Sequence, residues 1–221
     1  MTATSSTTRT TLRLGVALIG AALLAGCGGD DDGGAKQCPI GDLTAPVELE
    51  IVHLDASNAV FKTQAMDKVP LVAPPQGGWI VLIGVRARNI DGCQIDLTTA
   101  LRDTCTNQLI QVDKRRTLLA IGDDGWGESI ASRFSNLPVC PQLTATRDLH
   151  DQPYVVEVTI EDVAHNKKAS ASITVVPTCP TDAASSRCPC ECGRDYKTGD
   201  ICPEVPVDAG VVDPSCPTAS P

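Results

Sequence analysis

Cys188, Cys190 and Cys192 alternate along one short stretch and form the densest group of soft ligands in the chain. Thiolates so spaced can bind Cu(I) or Zn(II), whereas in an oxidising compartment the same residues form disulfides. No histidine lies beside them, so bridging is the expected role and a metal or redox module the alternative. Asp123, Asp124 and Glu128 surround Gly125, Trp126 and Gly127 and make a candidate Ca²⁺ loop. They lack the alternating ligand positions of an EF-hand, which favours a plain solvated acidic loop. Trp126 is expected to fill the core; exposed, it would stack on a sugar or a partner. His53, His150 and His165 stand apart from one another. His150 and Asp151 are neighbours, and neighbours on a strand face opposite ways. The sequence contains no Gly-x-Ser-x-Gly elbow, phosphate-cradling glycine loop or dinucleotide fingerprint, so no catalytic residue and no cofactor is assigned.

The amino terminus carries a different chemistry. Arg9 and Arg13, with no acidic residue near them, precede the apolar run from Leu14 to Ala25. As a helix that run would measure roughly 18 Å, too short for a hydrocarbon layer of about 30 Å but suited to a secretory signal. It ends in Leu24-Ala25-Gly26-Cys27, which resembles the lipobox of bacterial lipoproteins at all four positions. The resemblance implies recognition of Leu24, Ala25 and Gly26 by a signal peptidase, diacylglyceryl transfer to the Cys27 thiol, and cleavage before Cys27. Two or more acyl chains hold a protein firmly at a membrane, at about 0.8 kcal/mol per buried CH₂. Gly28 stands where an Asp signals inner-membrane retention in enterobacterial lipoproteins, so the resemblance implies outer-membrane sorting.

The 221 residues hold 18 Lys+Arg against 27 Asp+Glu, a net charge of −9 that argues against a nucleic-acid partner. Eleven cysteines point to an oxidising compartment. Apart from Cys27, four lie in the body (Cys38, Cys93, Cys105 and Cys140) and six in the tail (Cys179, Cys188, Cys190, Cys192, Cys202 and Cys216). Both numbers are even, so body and tail could close separately, although spacing selects no pairing. The expected organisation is a signal peptide over 1–26, an acidic Gly/Asp tether over 27–42, a β-sandwich over 43–177, and a largely irregular Cys/Pro-rich tail over 178–221.

Period-two alternation dominates the body. Val47, Leu49 and Ile51 form one such set; Ile95, Leu97 and Leu101 another; Tyr154, Val156, Val158 and Ile160 a third; Ala169, Ala171, Ile173 and Val175 a fourth. Each predicts a strand with one buried face. Trp79 to Val85 is apolar on both parities, as expected of a central strand. Asp91-Gly92 is expected to supply a tight hairpin, and the proline-rich stretch 69–78 a loop. The segment from Tyr154 to Val176, with Asp162, Ala164 and Asn166 at its bend, resembles the last hairpin of bacterial immunoglobulin-like domains. His165 takes the place of the usual glycine, and the turn requires a residue tolerant of positive φ. The expected fold class is an all-β, immunoglobulin-like antiparallel sandwich.

These features predict a lipid-anchored protein of the cell envelope with a non-catalytic binding, adhesion or structural role. Its partners would be the membrane, through the anchor, and a protein or glycan ligand, with no nucleic acid. The alternatives are an extracytoplasmic hydrolase with a site assembled from distant residues, or a metal or redox module in the tail.

Overall fold

A computed structural model describes residues 38–55, 57–181, 186–202 and 216; the proposed signal peptide, the lipobox and residues 27–37 of the tether lie outside them. The described residues form two sheets built almost wholly of antiparallel pairs. The strands are β1 (Glu48–Leu54), β2 (Val60–Lys62), β3 (Asp67–Pro70), β4 (Trp79–Arg88), β5 (Ile95–Asp103), β6 (Leu109–Thr117), β7 (Leu119–Ile121), β8 (Gly127–Ser129), β9 (Ser135–Cys140), β10 (Tyr154–Asp162) and β11 (Lys167–Thr178). One sheet runs β2-β1-β4-β8-β7, with β9 also paired to β4; the other runs β3-β11-β10-β5-β6. After β1 and β2 in the first sheet the chain crosses to β3, which lies parallel to the last strand, β11. That crossover, with β4 central to one sheet and β5, β10 and β11 adjacent in the other, is the immunoglobulin-like arrangement of an all-β sandwich.

Strand patterning explains the sandwich. In β5 and β10 every second residue is buried, so Ile95, Leu97 and Leu101 meet Val156, Val158 and Ile160 on one inner face. Val81, Ile83, Val85 and Ala87 of β4 close that core from the opposite sheet. Burial of each such aliphatic side chain contributes about 1.5–3 kcal/mol, which favours a single register over its one-residue slip. The other parity of β4 is apolar for a separate reason. Phe134, with Val52 and Leu54, forms a second small cluster against which Leu82 packs. A Cβ added at Gly84 would lie 2.6 Å from the Phe134 ring, so glycine is needed there for close approach.

Tyr154 opens β10 and its hydroxyl donates to the carbonyl of Asp148, 2.8 Å away, forming the tyrosine corner found in this architecture. The Arg147 guanidinium lies 4.5 Å above the Tyr154 ring and pairs with the buried Asp103 carboxylate at 3.3 Å. Arg147 also donates to Thr104 Oγ1 and the carbonyl of Pro153. The bend after β5 is thereby fixed to the start of β10.

Three turns differ from expectation. The stretch 69–78 is not all loop: Val69 and Pro70 belong to β3, and Val72 bridges Ile80. β3 is an edge strand, where a proline costs no ladder bond. Near Asp91-Gly92 the positive φ belongs to Asn89, at 64°. Gly92 serves packing instead, because a Cβ there would lie 2.3 Å from Ile40 Cδ1. In the β10–β11 bend the positive φ falls on Asn166, at 51°, and not on His165. The His165 backbone N–H donates to Asp162 Oδ1 at 3.1 Å, and its ring lies 2.8 Å from Oδ2, which caps the bend.

The tail does not close separately. Cys38–Cys93 lies within the body, and Cys179–Cys188 and Cys190–Cys202 lie within the tail. Cys105–Cys216 and Cys140–Cys192 cross between the two. A one-turn helix, α1 (Cys188–Glu191), is the regular element of the described tail. It is pinned because Cys192 accepts from the Leu149 N–H at 2.8 Å through its carbonyl. Even numbers of cysteines were compatible with either arrangement; proximity in the fold decided between them.

Candidate surface groove

Outward-facing charges on β1 and β4 stand opposite one another in register: Glu48 faces Arg88 and Glu50 faces Arg86. Both pairs form, with Arg88 to Glu48 at 2.6 Å and Arg86 to Glu50 at 3.4 Å. Lys62 of the flanking strand β2 reaches Glu50 at 2.7 Å. Cross-strand pairs of this kind are worth a few tenths of a kcal/mol to about 1 kcal/mol, so they orient the side chains more than they stabilise the fold.

The β7–β8 turn folds over this ladder. Trp126 is half-buried there and not in the core, with the guanidinium carbons of Arg86 and Arg88 5.4 and 5.0 Å from its ring centre. Cation–π contact holds the indole at the surface, a role that chain composition could not distinguish from core filling. Asp124 accepts from the Trp126 N–H at 3.1 Å and pairs with Arg86, while Glu128 lies 3.4 Å from the same arginine. Those contacts, the Trp126 N–H first, hold the Asp124 carboxyl below its ordinary range.

Beside the indole is an open groove of about 610 Å³, lined by Val60, Ala120, Ile121, Ile130 and Ala131 as well as Arg86, Trp126 and the 123–128 carboxylates. Two of the three carboxylates considered for Ca²⁺ are thus directed at Arg86. Asp123 also lines the groove but belongs to no Cys/His/Asp/Glu cluster of metal-binding dimensions among the described residues. An apolar floor, an aromatic edge and mixed charges suit recognition of an extended ligand by shape and charge. Ser129, the hydroxyl at the groove, is buried and accepts from the Val85 N–H at 3.0 Å.

The remaining sequence candidates lie elsewhere. His150 and Asp151 are not on a strand; Asp151 has φ of 53°, and the two side chains meet at 2.9 Å. His53 is a buried residue of β1, opposite Phe61 of β2, with its Nδ1 3.0 Å from Thr63 Oγ1, and burial lowers its pKa. The Cys188, Cys190 and Cys192 cluster is divided among three different disulfides. Arg86, Arg88, Glu48 and Glu50 were not expected to form a site. Their wet-face parity was readable in sequence, but their register was not. Comparison with protein-family models gives no match, and no curated protein matches the chain in sequence.

Proposed function

We propose that this chain is a lipid-anchored envelope protein whose sandwich is a non-catalytic binding module, with the groove beside Trp126 as its recognition surface. One observation carries the reading. Ten of the eleven cysteines pair among themselves in five disulfides, and the remaining one is Cys27, directly after Leu24-Ala25-Gly26. Five disulfides suit an oxidising, exported environment. A single thiol immediately behind a short apolar run suits acylation rather than bridging. Gly28 favours sorting to the outer membrane.

On this reading the acidic Gly/Asp segment spaces the sandwich from the lipid surface, and the groove takes a protein or glycan ligand. Trp126 supplies a flat apolar contact, and the surrounding arginines and carboxylates select ligand charge. Expression with and without globomycin, labelled palmitate and intact mass measurement tests the anchor. The expected result is a palmitate-labelled protein beginning at Cys27, with unprocessed precursor accumulating under globomycin. An unlabelled mature protein with unchanged processing overturns it. Array screening of protein and glycan ligands with wild type and Trp126→Ala tests the groove; binding unchanged by the substitution places recognition elsewhere.

A further inference from the structure

We propose that the disulfides Cys179–Cys188 and Cys140–Cys192 form an internal exchange couple, in which Cys188, once released by a thiol reductant, displaces Cys140 from Cys192. The Sγ atoms of Cys188 and Cys192 belong to different disulfides yet lie 3.8 Å apart, and both residues are fully buried. Cys179 Sγ is within 4.8 Å of both. A thiolate formed at Cys188 therefore faces a disulfide sulfur at near-contact distance, where the exchange is intramolecular and fast.

The direction of the first step follows from access. Both residues are buried, but Cys179 keeps 8% of its surface exposed and Cys188 none, so the incoming thiolate is assigned to Cys179 Sγ. It forms a mixed disulfide with Cys179 and expels Cys188 as a thiolate. A second thiol of the reductant closes its own disulfide and leaves Cys179 as a free thiol. The Cys188 thiolate then attacks Cys192 Sγ. The Cys188–Cys192 bond forms, the Cys192–Cys140 bond breaks, and Cys140 leaves as a thiolate that takes up a proton. The electron pair delivered at Cys179–Cys188 has then reached the sandwich at Cys140, and the count of disulfides falls by one.

Geometry permits the product. Residues four apart in a helix have Cα atoms about 6 Å apart, inside the range that a disulfide spans. Cys188 and Cys192 begin α1 and follow it directly. The exchange removes the covalent tie at Cys140 while Cys105–Cys216 still joins tail and body. Reductant thus frees the end of α1 from Cys140 without releasing the chain.

Two measurements on the full oxidised chain test this. Cys179→Ser leaves Cys188 without its partner; after acid quench, denaturation and alkylation, peptide mapping is expected to find label on Cys140 with loss of the Cys140–Cys192 linked peptide. Label confined to Cys188 overturns the proposal. Wild type treated with limiting dithiothreitol covers the case in which the variant does not fold. The more exposed bridges Cys38–Cys93, Cys105–Cys216 and Cys190–Cys202 are read separately. Among Cys140, Cys179, Cys188 and Cys192 the first labelled pair is expected to be Cys140 and Cys179, and any other first pair of these four overturns the proposal equally.

Discussion

The Trp79 indole N–H donates to Oε2 of Glu191 at 2.7 Å, joining the first residue of β4 to α1 across 112 positions of sequence. Both residues are buried, and Arg187 pairs with the other carboxylate oxygen. This contact seats the tail on the sandwich beside the Cys140–Cys192 bond.

Glu191→Ala leaves the Trp79 N–H buried without an acceptor and is expected to cost about 1–3 kcal/mol in urea denaturation. Combined with Trp79→Phe, the loss is expected to be smaller than the sum of the two single losses. Additive losses would show that the pair does not couple.

Gly84→Ala places a methyl group against the Phe134 ring, with expected destabilisation of about 1–3 kcal/mol from overpacking. Phe134→Leu shortens the ring's reach, so the double variant is expected to lose less than the sum of the single changes. Thermal unfolding of the three variants provides the check.

His53 is held below its ordinary pKa of 6.5 by burial. In the unfolded chain it takes up a proton near that value, whereas in the native chain it does so only at lower pH. The neutral form therefore contributes stability that is present above 6.5 and is lost as pH falls through the native value. His53→Gln is expected to flatten the fall in stability as pH drops below 6.5. An unchanged slope would assign acid sensitivity to the carboxylates.

Tyr154 shows the opposite dependence at the alkaline end. Burial raises its pKa well above the ordinary 10.0. Above pH 10 the unfolded phenol ionises while the native one stays protonated, so stability declines as pH rises. Tyr154→Phe is expected to cost about 1 kcal/mol at neutral pH through the lost bond to Asp148, and to remove that part of the alkaline decline. Denaturation curves at neutral and alkaline pH separate the two effects.

The chain has two tryptophans, one buried and one half-buried at the groove. Acrylamide is expected to quench the emission in two fractions, and Trp126→Phe is expected to abolish the accessible one. If quenching stays biphasic in the variant, Trp79 is also reached by solvent and α1 does not cover it.

Strands β5 and β10 were legible because their burial is one-sided, so parity alone revealed them. β4 was legible from its two apolar faces, although the cause, Phe134 covering Gly84 from a distant segment, was not. β6 stayed hidden because its edge position leaves Leu109, Val112, Lys114 and Arg116 exposed and mixes apolar with charged residues on the wet side. β7 and β8 are three residues each, too short for a period to register. At the groove, the acidic loop and Trp126 were visible as residues of interest. Their attachment to Arg86 and Arg88 depended on how β1, β4 and β8 align, which is a property of tertiary pairing and not of local pattern. The cross-links between body and tail were hidden for the same reason.

The cross-link pattern also sets how the domain responds to tension. A load entering at Cys38 passes through sulfur to Cys93, follows the backbone to Cys105, and leaves through sulfur at Cys216. Only the stretch between residues 93 and 105 lies on that shortest covalent route, a contour of about 40 Å at full extension. β1 to β4 lie on one bypassed loop and β6 to β11 on another, so stretching between those points cannot unravel them. Pulled between residues 38 and 216, the molecule would behave as a short link of limited extension.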